Sequence, residues 1–142
     1  MNRSYLAVRT TLFTIAEGTF EIRTPATTRC KVLEIGIIQA TATAQSLGFG
    51  HPAANGITPT TVAFQREDIA DPASLITGAS AWGSTRPTAP AIFHARWNSA
   101  ANIGEGIIWS WPRGIIIPIS DTMTVHNITT SVANDINCII EE

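Results

Sequence analysis

At 142 residues and 15.2 kDa, with a net charge of −2 and a pI near 5.9, the chain has the size of one domain and lacks the basic field that holds a phosphate backbone. Charged residues make up 14%, far below the ~25% of an average soluble domain, which points to a polar uncharged surface or to surface covered in a permanent assembly. Twenty Ile, five Val and nineteen Thr stand against five Leu and one Lys, a composition that suits a pleated sheet and excludes a helical bundle.

Tyr5 to Ile22 mixes Thr and apolar residues around a Glu17-Gly18 turn and reads as a strand or an extended arm, with residues 1–11 the candidate arm. A Pro25 loop follows. Cys30 to Thr43 carries the strongest strand signal, with Leu33, Ile35 and Ile37 on one face and Gly36 suggesting a close approach or a bulge. Residues 47–61 are rich in Gly and Pro and read as a long loop with a short strand at its start. Thr60 to Gln65 resumes alternation, with Val62 and Phe64 expected to face inward. In Glu67–Ile76 one helical turn is expected, capped by Asp71 and started by Pro72. Residues 77–90 read as loop. Short strands then follow around Ala95-Trp97, Ile107-Trp111, Ile115-Ile119, Met123-Val125 and Ile136-Ile140, with Pro112-Arg113-Gly114 as a turn. About eight short strands without a helical window predict an all-β single domain over 1–142, an antiparallel β-sandwich of jelly-roll type.

Candidate chemistry is sparse. His51, His94 and His126 are scattered without a metal-ligand spacing, and a surface or interface place is expected for each. Glu67, Asp68 and Asp71 cluster in a loop but lack a calcium-loop pattern, so capping and solvation account for them. No Gly-x-Ser-x-Gly elbow occurs, and Glu34 is expected to pair with an arginine rather than to act as an acid. Cys30 and Cys138, each within a strand-like segment, are expected as buried thiols. No catalytic, cofactor or metal set is expected. Ile115-Ile116-Ile117 ends at Pro118, far short of a membrane span, and Met1–Leu6 lacks the apolar stretch of a signal peptide. Of the four tryptophans, Trp97, Trp109 and Trp111 lie on the apolar phase of their strands and are expected in the core. Trp82 lies in a loop near Arg86, a pairing suited to a protein interface.

The segments Cys30-Lys31-Val32-Leu33-Glu34-Ile35-Gly36-Ile37, Pro59-Thr60-Thr61-Val62-Ala63-Phe64-Gln65-Arg66, Asp71-Pro72-Ala73-Ser74 and Trp109-Ser110-Trp111-Pro112-Arg113-Gly114-Ile115 come in that order, before a last strand running into Glu141-Glu142. In this the chain resembles the small jelly-roll proteins of tailed bacteriophages that decorate and cement the capsid. The resemblance implies a virion protein without a reaction, a homotrimer on the outer capsid surface that bridges neighbouring major capsid protein subunits, with no direct nucleic-acid or membrane partner and no cofactor. Tyr5, Leu6, Val8 and Arg9 of the arm, with Trp82 and Arg86, are the interface candidates. Deleting residues 1–11 is then expected to weaken capsid binding and to leave the trimer folded. A carbohydrate- or receptor-binding module of a phage fibre or tail is the alternative, using Trp82, Phe49 and His51.

Overall fold

Alternation of buried and exposed side chains organises the chain. In a strand, successive residues point to opposite faces, so a half-buried strand reads as in-out-in-out. The structure, a computed structural model, describes residues 2–11, 17–129 and 132–142. Among them are eleven strands: β1 (Arg3–Arg9), β2 (Gly18–Arg23), β3 (Cys30–Gln39), β4 (Ser46–Gly50), β5 (Pro59–Ala63), β6 (Gln65–Arg66), β7 (Thr77–Trp82), β8 (Ala95–Asn98), β9 (Gly106–Ile117), β10 (Thr122–Asn127) and β11 (Asn134–Glu141). They form a five-stranded sheet, β6-β1-β11-β3-β9, and a six-stranded sheet, β5-β7-β2-β10-β4-β8, with every pairing antiparallel.

Set β5, β6 and β7 aside and eight strands remain, numbered one to eight in chain order. Their sheet orders are then 1-8-3-6 and 2-7-4-5, the two interleaved sheets of a jelly roll. The all-β sandwich is as expected from the sequence. The strand number is larger because the connection between β4 and β8 contributes three short strands, which extend both sheets on one side.

The core lies between the sheets. Phe20, Ile22, Val32, Ile35, Ile37, Leu47, Phe49, Val125, Ile136 and Ile140 are wholly buried there. Phe49 stacks against Trp109 with ring centroids 6.4 Å apart and lies 5.3 Å from Trp111. Trp109 is buried, and Trp97 and Trp111 pack against the core from its margin. Cys30 and Cys138 are buried free thiols; burial raises the Cys30 pKa to about 12 and holds that of Cys138 well above its usual value. A buried amide cluster joins the sheets at one end. Gln45 donates to Asn134 (2.6 Å) and to Gln39 (3.2 Å), and Asn134 donates back to Gln45 (3.0 Å). Satisfied amides of this kind set the register of two sheets that apolar packing alone would let slide.

Several expectations change. Residues 3–9 are not a free arm: β1 is an interior strand, paired along its whole length with β11 and at Ser4-Tyr5 with β6. The continuation of the opening segment over 12–16 lies outside the described residues. Thr77–Trp82 is strand rather than loop. No helical turn forms at Asp71; instead Asp68 caps a tight turn, its carboxylate accepting from Ala70 N–H and its carbonyl from Asp71 N–H. Phe64 is buried but Val62 is exposed, because the chain breaks step between β5 and β6. Pro112-Arg113-Gly114 does not separate two strands. Residues 106–117 are one strand, and Trp111–Gly114 bulge out opposite Leu33 where the β3–β9 register skips. Gly114 has φ +69°, and a Cβ there would lie 2.8 Å from that of Lys31, so glycine is required. Neither the bulge nor the close approach expected at Gly36 occurs there: the register is regular through Gly36, and a Cβ on it would meet nothing closer than 3.9 Å.

Candidate functional site

Each sheet has an inner face on the core and an outer face, and the two outer faces differ. On the six-stranded sheet the segments 51–58 and 83–94 fold back over the outer face. Gly48 sits beneath Phe93, whose ring would meet a Cβ at 2.5 Å, and Gly18 sits beneath Pro87. Loop and sheet are joined by Arg23 Nη2 donating to Gly56 O (2.9 Å) and by Thr122 Oγ1 donating to Asn55 (2.6 Å).

Polar side chains are trapped under this cover. The Glu21 carboxylate is fully buried; it accepts from Arg23 Nε (2.9 Å) and from the Trp82 indole N–H (3.3 Å). Burial pushes its pKa up, and Arg23 and Trp82 pull the other way. Arg86 lies 5.2 Å over the Trp82 ring, with its Nε 3.7 Å from Glu17. Beside them on β10, Thr124 and His126 are fully buried, and neither His126 ring nitrogen has a hydrogen-bond partner. The Phe93 ring lies 6.0 Å from the imidazole. Burial lowers the His126 pKa to about 4, so the ring is neutral near pH 7. The surface place expected for His126 is thus corrected: its strand phase does point outward, but outward here means under a loop.

Among the described residues no segment covers the five-stranded sheet in this way. Its outer face presents Arg3, Tyr5, Ala7 and Arg9 from β1, alternate residues of β11, and Ile38, Ile108 and Ile116 from β3 and β9. Ile108 is 67% and Ile38 44% exposed, large values for isoleucines on a sheet face. Between them is a shallow depression of about 570 Å³, lined by Glu34, Gly36, Ile38, Gly106, Ile108 and Asn137. Arg9 and Asp135 form an exposed two-pronged ion pair, both bonds 2.7 Å, which lowers the pKa of the carboxylate.

The six interface candidates therefore fall in three places. Tyr5 and Arg9 lie on the open outer face, Leu6 and Val8 point to the core, and Trp82 and Arg86 belong to the covered face. Of the residues named for the fibre-module alternative, Phe49 is fully buried, and Trp82 is half-buried with its indole N–H bonded to Glu21. His51 is exposed, and its bond to Asp121 (2.8 Å) raises its pKa. Glu34 faces outward, and among the described residues no arginine pairs with it. Nor do three His, Cys, Asp or Glu side chains converge there to hold a metal ion. Sequence reasoning missed the open face, since Ile38 and Ile108 read as ordinary members of their alternating strands.

Fold and faces together define the chain as a jelly-roll β-sandwich with one sealed and one open outer face. No protein-family model matches it, no curated protein matches it, and no solved structure matches it.

Proposed function

We propose that this chain is a structural protein of a tailed-bacteriophage virion, binding as a homotrimer to the outer capsid surface and cementing neighbouring major capsid subunits. The observation that carries this reading is the open outer face of the five-stranded sheet, where Ile38, Ile108 and Ile116 meet solvent on a chain of only 14% charged residues. Apolar side chains on the uncovered sheet face of a weakly charged domain, which exposes Ile57, Ile69 and Ile92 elsewhere as well, suit a surface that is covered in a lasting assembly. The order of sequence segments that resembles capsid-cementing proteins supports the same reading.

The mechanism is mass action. A protein that binds only the assembled shell stabilises the shell by RT ln(1 + [L]/Kd) at each site. Three linked copies raise the effective concentration at the second and third contacts, so individually weak contacts hold together. Two measurements test this. Light scattering on the purified protein should give a species of three chains that persists on dilution. The protein should co-sediment with expanded, undecorated phage shells and raise the temperature at which they burst. A monomer that leaves shells unoccupied overturns the proposal.

A further inference from the structure

The cover over the six-stranded sheet is stitched down on both sides of the chain's one Asn-Gly pair, Asn55-Gly56. Asn55 is exposed and Gly56 is buried. On the N-terminal side the Ala53 N–H donates to Thr88 O (3.0 Å), and the Thr88 N–H donates to Ala54 O (3.0 Å). On the C-terminal side Arg23 Nη2 donates to Gly56 O (2.9 Å), and the Ile57 N–H donates to Thr85 O (2.7 Å). The Thr122 hydroxyl donates to Asn55 Oδ1 (2.6 Å) and ties that side chain to β10. Trp82 and Pro87 close over Gly56, where a Cβ would lie 2.3 Å from the indole nitrogen. Among the described residues the Gly56 N–H itself has no hydrogen-bond acceptor.

An asparagine followed by glycine carries a reaction within itself. Its side-chain carbonyl carbon and the next backbone nitrogen close a small, unstrained ring, and glycine has no Cβ to shield that nitrogen. The deprotonated Gly56 nitrogen attacks Asn55 Cγ, and a C–N bond forms. The proton it gave up passes through solvent to the side-chain nitrogen, which leaves as ammonia, so the product is a succinimide. Water then opens the ring at either carbonyl. One opening leaves aspartate, the other isoaspartate, in which the main chain runs through Cγ. Nothing is oxidised or reduced. In the sealed state ring closure is hindered, because it rotates the Asn55 side chain held by Thr122 and shifts Gly56, held by Arg23 and flanked by Trp82. The reaction therefore waits for the segment to lift, and local opening of such a loop costs less than global unfolding.

We propose that Asn55-Gly56 is a self-modification site gated by the cover. When the 51–58 segment lifts, Asn55 converts to isoaspartate or aspartate, and the isoaspartate form no longer reseals the face. Isoaspartate adds one main-chain carbon between two sets of anchors, Thr88 on one side and Arg23 with Thr85 on the other. The 83–94 segment and β2 set the spacing of those anchors, so the longer chain does not engage both. The sealed face thus opens irreversibly as the protein ages. This inference uses the covered sheet alone and is independent of the proposed function.

The test is incubation of the intact folded protein in mildly alkaline buffer, followed by peptide mapping by mass spectrometry with isoaspartate detection. Conversion at Asn55 is expected, more slowly than in the urea-unfolded chain, and Asn55→Gln should abolish it. Thr122→Val removes a hydrogen bond that the sealed state has and the lifted state lacks, so conversion should quicken about fivefold. The isoaspartate form, separated by chromatography, should lose amide-exchange protection at Ile57 and Thr88 while β1, β3 and β11 keep theirs. Four results overturn the proposal. They are a native chain unconverted at Asn55 over many times the span in which the unfolded chain converts, native and unfolded chains converting at one rate, conversion that Thr122→Val slows or leaves unchanged, and an isoaspartate form that keeps protection at Ile57 and Thr88. Should Thr122→Val fail to fold, the wild-type protein decides. Across low urea concentrations conversion at Asn55 and amide exchange at Ile57 should rise together, and conversion that stays flat while exchange rises overturns the gating.

Discussion

The outer faces of the two sheets come from the same kind of strand, yet one is sealed and the other open. Beneath the sealed face lie Glu21, Thr124 and His126, wholly buried polar groups on a surface that strand alternation assigns to solvent. Glu21 finds Arg23 and Trp82; His126 finds no hydrogen-bond partner and stays neutral. The open face holds the reverse combination, isoleucines in water beside an exposed Arg9–Asp135 pair. Alternation therefore decides which way a side chain points, and what lies there is decided by loops arriving from elsewhere in the chain.

The sharpest break concerns β1. Deleting residues 1–11 takes an interior strand out of the open sheet and leaves β11 and β6 unpaired on that side, so cooperative folding should be lost. Circular dichroism melting checks this, and a truncated chain that still melts in one sharp step would return residues 1–11 to the status of an arm.

Acid should act mainly on the sealed face. The His126 pKa is lowered from 6.5 to about 4 in the folded protein, so the unfolded chain binds a proton there first as pH falls. Its contribution is fully present above pH 6.5 and is lost as pH falls through about 4, a change of ~3 kcal/mol at ~1.4 kcal/mol per pH unit. Glu21 and His51, whose pKa values are raised, contribute slopes of the opposite sign, so the difference between wild type and His126→Leu isolates the histidine. Urea midpoints between pH 4 and 7 should diverge between the two proteins; parallel curves would mean that the imidazole is hydrated.

Glu21→Ala leaves Arg23 and the Trp82 N–H without their acceptor and should cost about 2–3 kcal/mol, less than a fully buried pair because Arg23 reaches solvent. Chemical denaturation measures it, and a cost below ~1 kcal/mol would make the cover independent of this anchor. The smallest effect on stability is expected on the open face. Ile108→Ser should change the unfolding free energy by no more than ~0.5 kcal/mol and yet shift the native mass toward single chains. Equal native mass in both proteins would remove that face from the assembly.

Some of this contrast was legible beforehand. Ile35, Ile37, Ile136, Cys138 and Ile140 sit in the core as their strand patterns indicate, since regular alternation with β-branched residues carries its own direction. Leu33, expected on the face of Ile35 and Ile37, instead leaves the core place to Val32, because the β3–β9 register skips there. Thr77–Trp82 was not legible, because Gly78 leaves room for Leu6 and Phe20 on the inner face and Ala79 is small on the other, so the segment shows no apolar periodicity. Among the site candidates, Tyr5 and Arg9 do face solvent. Ile38 and Ile108 carry no local sign of exposure, since an isoleucine in a strand reads the same whether or not another layer covers it.

By itself the sequence determined that this protein is an all-β sandwich, with Trp109 and the β-branched strands at its centre and no helix to cover them. Side-chain period and β-propensity are local properties, written within a few residues of each strand. Tertiary structure alone decided that the 51–58 and 83–94 segments seal one outer face, that His126 is buried beneath Phe93, and that β9 ends a sheet. Those outcomes depend on which distant segments meet. Long-range pairing is settled by the packing of the whole chain, which no local pattern records.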